Sequence, residues 1–94
     1  MPTYLVQASY TAQGVSGLIK SPEDRTVVLR PLVEGLGGKI ESAYFAFGDF
    51  DVVIIVELPD SVTMAAFSMV VGASGAVTNI KTTVLMPMSE GLEA

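Results

Sequence analysis

The densest group of residues able to do chemistry is Gly48, Asp49, Phe50 and Asp51, which follows an aromatic stretch in the middle of the chain. Its two carboxylates are close enough to share a face, where one of them has the reach to act as a base. The same residues suit a tight turn, because glycine and aspartate are favoured there and Asp51 can accept hydrogen bonds from backbone amides. We predict a mainly structural turn and keep Asp51 as a weak catalytic candidate.

Tyr10 and Lys81 are the other weak candidates for proton transfer, and Tyr10 ranks first among the tyrosines because it ends a predicted strand. The chain has no His, Cys or Trp. These absences exclude thiol chemistry, thiolate zinc sites, haem held by histidine and hydroxyl-histidine triads. Two carboxylates without a third ligand make a weak metal site. We therefore predict no metal and no cofactor.

The residues that would position these groups follow strand and helix patterns in turn. Apolar alternation or continuous apolar runs predict four strands: they are Thr3 to Tyr10, Lys39 to Phe47, Asp51 to Leu58 and Ala76 to Met86. The longest unbroken apolar run, Val52 to Val56, is far shorter than a membrane span needs.

Helix signals lie between these strands. Ser21-Pro22-Glu23-Asp24 predicts a helix start, and Gly37-Gly38 predicts the end of that helix. An apolar stripe runs between them, and Pro31 is expected to bend the helix without ending it. A second helix opens at Pro59-Asp60-Ser61 and ends near Gly72 to Gly75. Its predicted buried stripe consists of Val62, Ala65, Ala66, Met69, Val70 and Ala73. Residues 11–20 are compatible with a single short helix or an ordered loop, and we predict a frayed helical turn with flexible glycines there.

The order strand, helix, strand, strand, helix, strand predicts an α+β, ferredoxin-like βαββαβ sandwich. Such a fold has an antiparallel sheet with both helices on one face. We interpret residues 1–94 as one domain, with residues 87–94 as a flexible acidic tail.

Strand parity separates two predicted faces of the sheet. The almost wholly apolar parity, which includes Tyr4, Tyr10 and Tyr44, is assigned to the helices. The other parity is mixed, and its apolar members form a patch that a lone domain would leave in water: Leu5, Phe45, Val53, Ile55 and Leu85. Exposed patches of this kind usually mark an interface. We therefore predict sheet-on-sheet self-association, as a homodimer or a higher homo-oligomer.

Polar residues on the same mixed face predict where a small molecule would bind. Gln7, Ser9, Asn79 and Lys81 lie on strands that neighbour each other in this topology, and Phe45 adds a ring surface. Convergent polar groups in an apolar hollow orient small ligands. The alternative interpretation is that they form the polar rim of a dimer interface.

The amino-acid composition restricts the classes of binding partner that the protein is expected to have. Half of the residues are hydrophobic and only 16% are charged, with a net charge of −5. This sign is wrong for holding phosphate backbones, so nucleic acid is not predicted as a partner. The first residues lack a signal-peptide pattern, so a cytoplasmic protein that makes no membrane contact is expected.

The stretch from Gly37 to Val53, GGKIESAYFAFGDFDVV, resembles the signature of the GYD domain family. Further support comes from Tyr10-Thr11 with Gly14, from Ser21 to Arg25, and from Ser74 to Val77. The resemblance spans nearly the whole chain and implies a small bacterial or archaeal member of the dimeric α+β barrel superfamily. Phe50 stands where the family commonly has Tyr, whereas Asp51 is retained.

These observations predict a homo-oligomeric domain that binds a small, partly apolar molecule at or near the sheet face or dimer interface. The alternative is a cofactor-independent enzyme of the small monooxygenase or isomerase kind, which would use Asp51, Tyr10 or Lys81. A purely structural interaction module is the second alternative. Relatives in the superfamily have diverse roles, so the fold alone does not choose among the three.

Overall fold

A computed structural model describes residues 1–22 and 25–94, and of Arg25 only the backbone. The predicted carboxylates of the first helix start, Glu23 and Asp24, lie outside the described residues. The elements in chain order are β1 (Thr3–Tyr10), α1 (Ala12–Lys20), α2 (Arg25–Gly35), β2 (Lys39–Phe45), β3 (Val52–Glu57), α3 (Ser61–Ala73), β4 (Val77–Leu85) and α4 (Met88–Gly91). In the described part of the chain, no helix is long and apolar enough to cross a membrane.

The strands form a four-stranded antiparallel sheet in the order β2-β3-β1-β4. This order, with β1 and β3 in the centre, confirms the predicted ferredoxin-like α+β fold. β1 alternates as predicted, because Tyr4, Val6 and Ala8 are buried while the residues between them are half-buried. The buried residues pack against side chains of α2 and α3, so these helices cover one face of the sheet.

Two of the predicted helix boundaries have a clear local cause. Asp60 caps α3 by accepting a hydrogen bond from the Thr63 amide at 2.8 Å, and the Thr63 hydroxyl completes a capping box. α2 ends where Gly37 adopts a left-handed φ of 86° and the Gly38 amide donates to the Val33 carbonyl at 3.0 Å. A glycine at this position avoids the steric cost that a Cβ would bring.

The predicted buried stripe of α3 is wrong. Met64 and Phe67 are the buried residues, whereas Val62, Met69 and Val70 are 76%, 73% and 51% exposed. The helix is apolar on nearly every side, so its periodicity did not identify the side that faces the sheet. The prediction for residues 11–20 is also wrong, because α1 is a nine-residue helix with buried Gly14.

A bulge in β2 reverses the predicted parity of its second half. Ile40 pairs with Val56, but the next pairs are Ser42 with Ile55 and Tyr44 with Val53. Tyr44 therefore lies on the face turned away from the helices and is 60% exposed, which corrects its assignment to the core. Phe45 pairs with Val52 on the helix side, so its assignment to the apolar patch of the other face is also wrong. One extra residue in a strand moves every later side chain to the opposite face.

A second bulge lies in β4. Lys81 pairs with Gln7 and Thr78 pairs with Ser9, so Asn79 and Ile80 together oppose a single residue of β1. Asn79 adopts φ 53°, a left-handed conformation that asparagine tolerates better than most residues. Strict alternation along β4 predicts Val77 on the same face as Lys81, but Val77 pairs with Tyr10 on the helix side, so this prediction is wrong.

We call the sheet surface turned away from α2 and α3 the open face; it includes Leu5, Gln7, Ser9, Tyr44, Val53, Ile55, Glu57, Lys81 and Leu85. At one end of it, the Lys39 ammonium contacts the Glu57 carboxylate at 3.2 Å, a charge contact without a well-directed hydrogen bond to that oxygen. The tail forms one exposed helical turn, α4.

The layer between the sheet and the helices is densest where β1 begins and β3 ends. We call this region the packed end; it includes Tyr4, Val33, Ile40, Val56, Leu58, Met64 and Phe67, all at most 8% exposed. The largest fully buried side chains, Phe67, Leu58, Val33 and Val56, all belong to it. The opposite end of the same layer, where β1 ends at Tyr10, is built differently.

Candidate functional site

Asp51 ties the hairpin between β2 and β3 to the end of β1. Its carboxylate Oδ2 accepts a hydrogen bond from the Tyr10 amide at 2.8 Å. Its own amide donates to the Ala8 carbonyl at 2.9 Å, and its carbonyl accepts from the Ala46 amide at 2.8 Å. The carboxylate thus acts where a strand carbonyl would, and it holds the Tyr10 backbone in place.

A second junction joins α1 to the start of β4 beside Tyr10. The Thr11 amide donates to the Ala76 carbonyl at 3.0 Å, and the Thr11 hydroxyl donates to the Gly75 carbonyl at 2.7 Å. The same hydroxyl accepts from the Gly14 amide at 3.0 Å and so caps α1. Gly14 is a requirement of this junction, because a Cβ there would overlap the Ala76 carbonyl. Gly14 is therefore a packing residue of the helix and not the flexible loop residue that its type predicted.

These two junctions frame a cavity of about 240 Å³ between the sheet and the helices α2 and α3. Ala8 and Val52 contribute to its sheet side, and Ala76 contributes at the start of β4. The small side chains of Ala8 and Ala76 leave space that larger residues occupy at the packed end. We call this part of the layer the cavity end.

The cavity opens toward solvent between the two helices. Val28 of α2 and Val70 of α3 both line it and are 43% and 51% exposed, so they lie at its mouth. Leu29 and Val71 line it further inside and are half-buried. No charged side chain of the described residues lines it. An uncharged, mostly hydrocarbon wall favours apolar molecules and disfavours ions, which would lose their hydration.

Two of the lining residues carry a hydroxyl group, and neither offers an accessible, unused O–H donor to the interior. The Ser74 hydroxyl donates to the Val71 carbonyl at 2.6 Å and accepts from the Ala76 amide at 3.2 Å. The Tyr10 hydroxyl is buried out of solvent reach and has no hydrogen-bond partner among the described residues. The wall that a ligand would meet is therefore apolar.

The predicted ligand-binding residues are only partly brought together. Gln7, Ser9 and Lys81 share the open face, with Gln7 directly opposite Lys81. Asn79 is exposed at the bulge of β4, and Phe45 lies on the helix side of the edge strand β2. None of the five lines the cavity, which lies on the other side of the sheet.

The weak catalytic candidates are also divided between the faces. Tyr10 and Asp51 are adjacent, but through the Tyr10 backbone amide and the Asp51 carboxylate. Lys81 is exposed on the open face and does not line the cavity. Among the described residues, no group of three or more carboxylates lies close enough to hold a metal ion.

Prediction from the sequence missed the cavity because five elements, β1, α2, β3, α3 and β4, contribute side chains to it. One signal was present: Ala8 lies on the helix-facing parity of β1, two residues before Tyr10, where a larger side chain would fill the layer. A small residue at a core position marks a gap only when its neighbours across the layer are known.

The family model of the GYD domain matches residues 4–94. This chain belongs to the GYD domain family. The signature residues have structural roles at the cavity end, since Tyr10, Thr11, Gly14, Asp51 and the segment 74–76 form its two junctions. Gly37 and Gly38 of the same signature end α2.

The GYD domain is similar to a Thermus thermophilus protein named Glutamine synthetase and cystathionine beta-lyase binding protein. The two are 31% identical over 77 residues, which is 82% of this chain and 81% of the relative. The fold is similar to the crystal structure of TTHA0845 from Thermus thermophilus, with a TM-score of 0.59, 17% identity, and 93% of this chain and 95% of that chain covered. It is also similar to a hypothetical protein from Pyrococcus horikoshii, with a TM-score of 0.57, 13% identity, and 93% and 92% covered.

Proposed function

We propose that this GYD domain self-associates through its open face and binds a small, partly apolar molecule in the cavity behind the same sheet. The observation that carries the binding proposal is the cavity of about 240 Å³ with an uncharged wall and a mouth between α2 and α3. Apolar cavities with a restricted entrance are the common form of small-molecule sites. The proposed site differs from the one predicted at the sheet face or dimer interface, because the cavity lies on the opposite side of the sheet from the polar residues of the open face.

Self-association is supported by the apolar surface of the open face. Leu5, Val53 and Ile55 are neighbours across the central strands, and Tyr44 and Leu85 extend the patch to both edge strands. Contiguous apolar surface of this kind is characteristic of interfaces. A two-fold contact between two such faces would use the same residues from both copies.

Binding is proposed ahead of catalysis because the candidate groups are engaged or separated. The Asp51 carboxylate holds the Tyr10 amide, and Lys81 lies across the sheet from the cavity. A cofactor-independent enzyme would need a proton-transfer group at the cavity wall. The described lining offers only two hydroxyls, one engaged and one out of solvent reach.

Native mass spectrometry of the protein purified from its own source tests the binding proposal. We expect a mass increment that disappears on unfolding and that is reduced in Ala8→Val, which adds side-chain volume at the sheet side of the cavity. Ala65→Val is the matched control, because Ala65 is exposed on α3 and does not line the cavity. A protein that carries no bound molecule in any preparation contradicts binding and favours the structural module.

Light scattering of Ile55→Asp tests self-association. We expect the wild type to be a dimer or larger and the variant to be a monomer, because an unpaired carboxylate in an apolar interface is strongly unfavourable. Val62→Asp is the matched control, since Val62 is 76% exposed on α3. An unchanged oligomer in Ile55→Asp would show that the open face is not the contact surface.

A second candidate function is docking onto metabolic enzymes, which the name of the Thermus thermophilus relative favours. The hairpin between β2 and β3 offers an anchor, since Phe47 is fully exposed beside a turn held by Asp51. Aromatic residues, phenylalanine among them, are enriched at protein interfaces relative to the rest of the surface. Isothermal titration with purified glutamine synthetase or cystathionine beta-lyase tests this function. Binding that is lost in Phe47→Ser and kept in Val27→Ser supports it, and the absence of heat with either enzyme contradicts it.

A further inference from the structure

The chemistry of the cavity wall restricts the ligand of the proposed site further. This inference rests on the proposed binding function and concerns which class of molecule the site selects. The volume of the cavity, the charge of its lining and the residue on its sheet side together restrict that class.

Volume limits the size of the ligand. An apolar cavity of about 150 Å³ accommodates benzene, so a cavity of about 240 Å³ suits a compact molecule of about ten non-hydrogen atoms. The entrance between Val28 and Val70 limits the shape of the ligand, because it must pass between the side chains of α2 and α3. Fused or bicyclic rings combine this volume with a compact form.

The lining determines the charge of the ligand. A carboxylate or ammonium group inside the cavity would lose its hydration without meeting an opposite charge among the described residues. The Ser74 hydroxyl is already hydrogen-bonded to the backbone on both sides, and the Tyr10 hydroxyl is out of solvent reach. Ser74 has therefore no O–H donor left for a polar substituent, and the Tyr10 hydroxyl is not accessible to one.

Ala8 limits the depth of the cavity at its sheet side. Its side chain is 4% exposed and lies on the central strand β1. The neighbouring strand β3 is fixed against it, because Ala8 pairs with Val52 and its carbonyl accepts a hydrogen bond from the Asp51 amide. Every larger side chain at this position would project into the cavity, because parity directs residue 8 toward the helices. The residue thus acts on ligand size and not on ligand charge.

We infer that the cavity selects neutral, compact, predominantly hydrocarbon molecules of about ten non-hydrogen atoms, with Ala8 as the residue that determines the upper size limit.

Titration calorimetry with matched probes tests the inference. Naphthalene is the neutral probe of the expected size, naphthalene-2-carboxylate adds a charge to it, benzene is smaller and pyrene is larger. We expect naphthalene to bind more tightly than its carboxylate by at least about tenfold, and more tightly than pyrene by a similar factor. Equal binding of naphthalene and its carboxylate would overturn the charge argument, and equal binding of pyrene would overturn the size argument.

Single substitutions test which residues of the cavity determine the selectivity between probes. Ala8→Val is expected to weaken the binding of naphthalene more than the binding of benzene, whereas Ala65→Val leaves the binding of both probes unchanged. Tyr10→Phe is expected to change naphthalene binding by less than about threefold, because its hydroxyl does not reach the interior. Equally weakened binding of both probes in Ala8→Val would show that Ala8 does not select ligand size. A large loss of naphthalene affinity in Tyr10→Phe would overturn the inference that the ligand meets only hydrocarbon.

The outcome separates the inference from the proposed function. A charged or large molecule carried through native purification, together with no naphthalene binding, would overturn the inference and leave the binding function standing. The absence of both a carried molecule and any probe binding would overturn both.

Discussion

The packed end and the cavity end lie in the same layer between one sheet and two helices, yet only one of them is filled. At the packed end, Phe67 and Leu58 occupy the space between the layers and are at most 1% exposed. At the cavity end, Ala8 and Ala76 occupy equivalent space, and Val28 and Val70 are partly in solvent. Large buried side chains dominate the energy of folding, so the packed end provides most of the stability, while the cavity end leaves the space of the proposed binding site.

Hydrogen bonds to the backbone hold the less filled end in place. Asp51 holds Tyr10, and Thr11 with Gly14 holds Ala76, so backbone hydrogen bonds replace side-chain packing there. A cavity needs walls that do not collapse, and fixed backbone supplies them. The comparison therefore predicts that packing changes matter most at the packed end and that backbone changes matter most at the cavity end.

Phe67→Ala is expected to have the largest effect. Removing a side chain that is 1% exposed should reduce the free energy of unfolding by about 3–5 kcal/mol. Val70→Ala at the cavity mouth should cost less than about 1 kcal/mol, because half of the side chain is already in water. Urea unfolding followed by circular dichroism measures both. Similar losses for the two variants would show that the two ends are packed alike.

Gly14→Ala and Gly17→Ala form a matched pair within α1. A Cβ at Gly14 overlaps the Ala76 carbonyl, so we expect a loss of about 1–3 kcal/mol as the junction shifts. Gly17 has no neighbour within 4 Å of an added Cβ, so alanine there should stabilise the helix by about 0.5–1 kcal/mol. Thermal unfolding measures both variants. Stabilisation by Gly14→Ala would show that backbone contact does not support the cavity end.

The stability that the two helix caps provide, Asp60 at α3 and Thr11 at α1, should respond differently to pH. We expect this to be the smallest effect of the three pairs of variants. Hydrogen bonds from the Thr63 amide and hydroxyl lower the pKa of Asp60, so its carboxylate is favoured in the folded state. This contribution is fully present above the ordinary aspartate pKa and is lost as the pH falls through the lowered folded value. The Thr11 hydroxyl caps α1 without titrating.

Melting temperatures of Asp60→Ala and Thr11→Val as a function of pH test this difference. We expect the deficit of Asp60→Ala relative to wild type to shrink in acid, while the deficit of Thr11→Val stays constant across the same range. A deficit of Asp60→Ala that does not depend on pH would mean that the carboxylate charge makes no contribution to the cap.

Local signals predicted the fold well where they depend on near neighbours in the chain. Asp60 and the Gly37-Gly38 pair marked helix ends, and the bounds of β1 agree with its alternation. These features follow from the geometry of a few consecutive residues, so the chain determines them without reference to the rest of the fold.

Prediction failed where a partner element decides the outcome. The bulges beside Ile40 and at Asn79 depend on how neighbouring strands pair, and they moved Tyr44, Phe45 and Val77 to faces that alternation did not predict. The buried side of α3 was predicted wrongly for a related reason, because the orientation of an almost uniformly apolar helix depends on the elements that it packs against.

The amino-acid sequence by itself determined the order of the four strands and of helices α2 and α3 between them, the ferredoxin-like fold, the absence of thiol and imidazole side chains, and the family to which the chain belongs. Tertiary structure alone decided which end of the layer holds a cavity and that the polar residues of the open face lie across the sheet from it. The physical reason is that elements form by interactions between residues near in the chain. A cavity is instead the difference between the space that packed elements enclose and the volume of their side chains.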